Sequence, residues 1–489
     1  MIDAAITISS VLSVVQNNMC GLGGDMFALV RLNDRVFELN SSGRAAGRVS
    51  IDYYKNRGFR KIPSRGPLAA VTVPGLVKGW GELAKKFGSR DLFGLLKPAI
   101  DYSRDGFPIT EKYRDSIRNS LPMLGEFKNW RAIFLPEGVV PARGHNLKQK
   151  DLSTSLLSIA QSGADDFYNG SLSEKISKGI EEQGGVIGSD DLRKHESTWV
   201  ENPISTDYRG VKIYETSPNS QAATVLLWLN MLETFDLSKM RADSKKFLGV
   251  MVDTCLRAYR ERARSIGDPS VTPLPANFTS KRFAEELLAQ GQSTLTNFTQ
   301  TRPKINGDTT YFAVADSEGN CASVIQSNYM GFGSGLVPSG TGIVLHNRGC
   351  YFSLNPKHHN SLSPGKRTFH TLCASLGEKN GELLFAIGSM GGDVQPQIHA
   401  QIITQVLDFG SDLQRAIDKP RWIIPMTIYE QPSRIYTESD FSELASKNLR
   451  VESLGGLSSQ CGHAQAIYKT PDGLFGAADP RGDGASVGF

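Results

Sequence analysis

The chain has 489 residues, of which 39% are hydrophobic and 21% charged, the balance of an ordinary globular protein long enough to bury a large core. Its formal net charge is only +4 and no basic block stands out, so nucleic acid is not an expected partner. Six scattered cysteines form no Cys-x-x-Cys pair, which excludes a zinc ribbon or dithiol motif and suits a reducing compartment, and no apolar run approaches the roughly 18 residues of a membrane span.

The first apolar stretch has Asp3 at its start and no Lys or Arg before it, the reverse of a signal peptide. It reads as one face of a buried helix ending near Gln16, and the protein is expected in the cytoplasm. A Gly-rich loop then leads into strands at Met26–Arg31 and Arg35–Leu39. Residues Val71–Gly75 predict a strand ending in a Pro-Gly turn, followed by a helix through Trp80 and Leu83. From about 75 to 260 the pattern is mainly helical, with helix ends and Gly stops at Glu182–Gly188 and Asp191–His195, and a strand-like run at Asp207–Glu215.

Residues 295–308 change character: they are polar, carry Pro303 and Gly307, and have no hydrophobic period, which predicts an exposed loop. The stretch from Thr309 then reads as a strand, a tight turn at Ser317–Asn320 and a second strand, before a loop with five glycines between 331 and 342. Strands and helices alternate to the C-terminus, with no internal repeat. Neither Gly-rich patch has the spacing of a phosphate loop, and no Gly-x-Ser-x-Gly elbow is present. His358, His359 and His370 make a poor metal set, because adjacent residues on a strand point apart. No metal or cofactor is expected.

Taken alone, the Gly-Asp-Thr-Thr junction at 307–310 describes an ordinary strand start. The wider context resembles the γ-glutamyltranspeptidase family. The matching residues run in order through DAAIT at 3–7, CGLGGDMFALV at 20–30, VTVPG at 71–75, SRDG at 103–106 and DYRG at 207–210. They continue through TTYFAVADSEGN from Thr309, FGSG at 332–335, SGTGI at 339–343, PGKR at 364–367, GSMGG at 388–392, DKPRW at 418–422 and PDGLFGAADPR at 471–481.

The resemblance implies an α/β (α+β) fold, the four-layer αββα sandwich of N-terminal-nucleophile hydrolases. It implies a precursor that cuts itself between Asp308 and Thr309, giving a large chain 1–308 and a small catalytic chain 309–489 that form one composite domain. Thr309 rather than Thr310 is the expected nucleophile, since neighbouring strand residues face opposite sides. By the same resemblance Ser327 hydrogen-bonds the nucleophile, and Gly391-Gly392 supply the oxyanion donors.

Where family members grip the α-amino-acid head of a γ-glutamyl substrate, this chain differs. The Arg position falls on Asn40, the Asp position on Tyr351, and the serine pair on His370 and Thr371. Arg44 and Arg348 lie near these positions and suit carboxylate binding. Substrate contacts are therefore expected from Arg44, Arg348, Tyr351, His370 and Thr371, with a small amide as partner. The acyl donor is either a γ-glutamyl or similar carboxylate-bearing group, or a non-amino-acid amide such as oxamate; a non-catalytic binding protein is the third reading. The two chains are each other's expected partners, homo-oligomer assembly is left open, and neither nucleic acid nor membrane is expected. The chain also starts where family members normally carry roughly another strand before it: either the start is misplaced or an edge strand is missing, and a missing strand is expected to expose sheet edge and lower stability.

Overall fold

A computed structural model of the protein describes residues 1–242, 244–291, 308–429, 434–441 and 450–488. Of the polar loop expected at 295–308, only Asp308 falls among them. The principal strands before the junction are β1 (Asp25–Leu32), β2 (Arg35–Ser41), β3 (Thr198–Val200), β4 (Ser205–Tyr208) and β5 (Val211–Glu215). After it come β6 (Asp308–Ala315), β7 (Cys321–Tyr329), β8 (Ala374–Lys379), β9 (Glu382–Ser389), β10 (Ala464–Thr470) and β11 (Gly473–Ala478). One five-stranded sheet has the order β3-β2-β1-β7-β6, and one six-stranded sheet the order β11-β10-β9-β8-β5-β4.

The strand period sorts the side chains into layers. On β1, Met26, Ala28 and Val30 join the core beneath helices α1 (Ile2–Val15), α2 (Leu76–Phe87), α3 (Leu92–Asp105) and α4 (Lys150–Ser162). The alternate residues Phe27 and Leu29 turn to the other sheet and meet Leu376, Ala386 and Ala374 there. On β9, Phe385 and Ile387 face outward to α5 (Ala223–Glu233), α6 (Lys245–Ser265) and α7 (Gln395–Leu407). Both faces of both sheets are thus buried, and the result is a four-layer αββα sandwich. No helix among the described residues is long and apolar enough to cross a membrane.

Three local expectations change. The run at Asp207–Glu215 is a hairpin, because Arg209 and Gly210 adopt positive φ (52° and 75°) and fold β4 back on β5. Residues Val71–Gly75 join no sheet: Ala46 N–H pairs with Val71 O and Val73 N–H with Arg44 O, a single bridge between two loops. His358 and His359 lie in a turn, not a strand, and their rings stack with centroids 4.5 Å apart instead of pointing apart. Among the described residues, no cluster of three or more His, Cys, Asp or Glu is arranged to hold a metal ion.

Candidate active site

Strand β6 is an edge strand, and Thr309 is its second residue. Asp308 pairs with Tyr329 and Thr310 with Gln326, so Ser327 and Asn328 together oppose Thr309 alone. This bulge in β7 re-aims Ser327 at the junction. Thr309 Oγ1 donates to Ser327 Oγ at 3.1 Å, and Ser327 Oγ donates in turn to the carbonyl oxygen of Asp308 at 2.6 Å. Tyr329 N–H also donates to Ser327 Oγ, at 2.8 Å. One serine hydroxyl therefore connects the threonine hydroxyl with the carbonyl preceding it. Thr309 and Ser327 are both only 2% exposed.

The Asp308 carboxyl is enclosed although the residue as a whole is half-buried. Burial pushes its pKa up to about 6, against the opposing effects of Gly331 N–H and the Arg65 guanidinium. Arg65 Nη1 donates to Gly331 O at 2.7 Å and to Gly333 O, and its buried Nε meets no acceptor.

Gly391 and Gly392 form the turn between β9 and α7. Their φ values of 150° and 56° are closed to most side chains, and a Cβ on Gly391 would stand 2.9 Å from Ile398 Cδ1. Neither N–H is hydrogen-bonded to a described residue. The turn lies at the same end of the sandwich as Thr309. Tyr311, two residues beyond Thr309, packs its ring on Gly388, three residues before Gly391. The Tyr329 ring also meets Tyr351 at 5.7 Å, and Tyr351 Oη donates to Asp393 beside the turn.

Arg348 is fully buried. Nη2 donates to Thr371 Oγ1 at 2.8 Å, and the guanidinium carbon sits 3.8 Å above the Tyr329 ring. Nε and Nη1 have no partner. Burial lowers the pKa, with the tyrosines and Asp25 countering it. Tyr351 stacks on Phe369 at 5.1 Å, so the position that is acidic in the resemblance is an aromatic wall.

The remaining expected contacts lie elsewhere. His370 turns to Asp25, with Nε2 3.1 Å from Asp25 Oδ2 and Nδ1 accepting from Leu372 N–H, which holds it as the neutral Nε2–H tautomer. Burial, ahead of the Arg348 charge, pushes its pKa down to about 3. Arg44 is 43% exposed and directed at Gly365 O and Asp268 rather than toward Thr309. Asn40 is buried against Asn219 and Ser42.

Three further residues shape the site without having been picked out by pattern. Asp25 accepts from Gly43 and Gly75 N–H and lies beside His346 and His370; it stands at the end of the CGLGGD motif, which was its one visible signal. Gln221 Nε2 donates to Thr371 O and Gly392 O, and Arg262 backs Gln221 from helix α6. Nothing in the local sequence of either residue marks it.

The four-layer αββα sandwich, with a buried threonine near the start of the edge strand β6, is the fold of the N-terminal-nucleophile hydrolases. The chain belongs to the γ-glutamyltranspeptidase family, whose model (Gamma-glutamyltranspeptidase) matches residues 1–489, and it is an enzyme. It is 38% identical to the glutathione hydrolase-like YwrD proenzyme of Bacillus subtilis over 496 residues, covering 100% of this chain and 94% of that one. It is 34% identical to the oxamate amidohydrolase proenzyme of Klebsiella pneumoniae over 502 residues, again covering 100% and 94%. The crystal structure of cephalosporin acylase from Bacillus halodurans superposes with a TM-score of 0.90 at 32% identity, over 99% of this chain and 90% of that one.

Proposed function

We propose that the chain is a precursor that cleaves its own Asp308–Thr309 bond, after which Thr309 carries an acyl-enzyme reaction on a small carboxylate-bearing amide. The observation that supports this most is Ser327 Oγ, which accepts from the Thr309 hydroxyl and donates to the Asp308 carbonyl. Thr309 Oγ1 attacks that carbonyl carbon while Ser327 donates to the oxygen gaining charge. The C–N bond breaks and leaves an ester, which is then hydrolysed. The large chain of residues 1–308 and the small chain of residues 309–489 stay together, because each sheet draws strands from both sides of the cut.

A Thr hydroxyl is a weak nucleophile and needs a base. The freed α-amino group, which ordinarily titrates at about 7.7–8.0, suits that work near neutral pH. In the mature enzyme Thr309 attacks the substrate amide, the N–H groups of Gly391 and Gly392 meet the oxyanion, and water or an amine resolves the acyl-enzyme.

Arg348, with Thr371 beside it, is the group suited to the acyl donor's carboxylate. Tyr351 offers no counter-charge for an ammonium, and a buried ammonium without one is strongly disfavoured. The relatives carry the names of an oxamate amidohydrolase and a glutathione hydrolase-like protein; the aromatic wall favours a donor of the first kind. Six free cysteines, five of them buried, accord with a cytoplasmic setting.

A denaturing gel with N-terminal sequencing tests the reading. Wild type and Thr310→Ala give two bands, the smaller beginning at residue 309, and Thr309→Ala gives one. A wild-type chain that stays whole supports the non-catalytic reading instead. Glutathione or glutamine turned over ahead of oxamate would sink the substrate assignment.

A further inference from the structure

We propose that the side-chain carboxylate of Asp308 is the nucleophile that opens the ester formed during self-cleavage. This rests on the reading that Thr309 cuts its own precursor.

The problem it answers is water. Once Thr309 Oγ1 has taken the acyl group, something must attack the ester carbonyl of Asp308. Water without a base attacks an unactivated ester slowly near neutral pH, whereas it opens an anhydride readily, so one difficult step becomes two easier ones. A carboxylate four bonds along the same residue needs no base to attack. Its oxygen closes a five-membered ring on the carbonyl carbon, and well-oriented intramolecular attack of this kind reaches effective concentrations of about 10⁵–10⁸ M.

The surroundings keep this carboxylate available. Gly331 leaves room for it: a Cβ there would stand 2.7 Å from Asp308 Oδ2. The Gly331 N–H steadies the carboxylate, and Arg65 biases it toward its charged form while directing Nη1 to the carbonyls of Gly331 and Gly333. The target carbonyl is already fixed by the hydrogen bond from Ser327. Burial raises the carboxyl's pKa to about 6, which leaves it mostly ionised at neutral pH and more basic than an exposed Asp.

The step balances. A bond forms between Asp308 Oδ and the ester carbon, and the bond from that carbon to Thr309 Oγ1 breaks. Oγ1 leaves as a hydroxyl, taking a proton from the new α-ammonium of Thr309. The cyclic anhydride is then opened by one water molecule. Its oxygen ends in one of the two carboxylates of Asp308 and both of its hydrogens leave as protons.

Processing in ¹⁸O-labelled water tests this directly. Wild-type precursor made by cell-free translation in that water should yield a large chain whose C-terminal residue carries label in its side-chain carboxylate as well as its main-chain one. Label confined to the main-chain carboxylate overturns the proposal. Asp308→Ala should stall at the ester and release the large chain as a hydroxamate with hydroxylamine. Cleavage of that variant at the wild-type rate, or an uncut chain that hydroxylamine does not split, also overturns it. If Asp308→Ala loses the wild-type melting transition, the isotope result alone decides. A wild-type chain that is never cut at this bond fails the Thr309 reading instead, which is a separate result.

Discussion

Arg348 donates from Nη2 to Thr371 Oγ1 at 2.8 Å, while its buried Nε and Nη1 meet no acceptor. A buried guanidinium with two unmet donors costs stability, and an apolar residue of similar volume in its place is often neutral or stabilising. Arg348→Met should therefore leave the melting temperature unchanged or raised, and leave self-cleavage intact. Its kcat/KM for a carboxylate-bearing amide should fall roughly 10–100-fold, the loss of one charge-assisted hydrogen bond. Arg348→Lys should recover part of the rate, because it keeps the charge without the planar fork. Steady-state kinetics beside thermal melts check this; a large loss of stability with unchanged kinetics would make Arg348 a structural residue.

Gln221 ties the carboxylate grip to the oxyanion turn. Its Nε2 donates to Thr371 O at 2.8 Å and to Gly392 O at 2.9 Å, and its Oε1 accepts from Arg262. Gln221→Leu removes one donor from each carbonyl and one acceptor from Arg262, and should cost about 1–3 kcal/mol of stability. Gln221→Glu keeps the shape and the pairing with Arg262 but sets an oxygen against both carbonyls in place of a donor, so kcat should fall and KM rise. Wild-type kinetics in Gln221→Glu would show that this bridge does not position the site.

Much of this arrangement is legible along the chain, and the illegible part has a physical reason. Strands β6 and β7 are visible as alternating patterns around a turn, so the nearness of Thr309 and Ser327 follows from one hairpin. The β7 bulge that aims Ser327 at the Asp308 carbonyl has no such local mark. The unmet donors of Arg348 and the double donation of Gln221 depend on which carbonyls and hydroxyls arrive from distant segments. His370 illustrates the same limit: its position in the motif places it in the neighbourhood, but the long-range approach of Asp25 decides which way the imidazole turns. Val71–Gly75 has strand-forming residues yet lacks a strand to pair with, because the loop at Arg44–Ala46 lies beside it.

Glu38 gives the last prediction, a stability that depends on pH. It stands opposite Leu29 across β1 and β2, and Leu29 faces the second sheet, so a carboxyl is inserted between the two sheets. It accepts from Ser217 N–H at 2.8 Å and from Ser217 Oγ at 2.6 Å. Both bonds favour the charged form, but burial outweighs them and pushes the pKa from 4.5 up to about 7. The folded chain then holds this proton more tightly than the unfolded chain does. Protonation favours folding, so this contribution is fully present below about pH 4.5 and is lost as pH rises through about 7. Glu38→Gln imitates the protonated side chain at every pH. Its melting temperature should match wild type near pH 4.5 and exceed it at pH 8, with the gap opening across that window. Melts of the two proteins over this range check the sign: a gap that closes as pH rises would mean that the two Ser217 bonds outweigh burial and that Glu38 is charged in the fold.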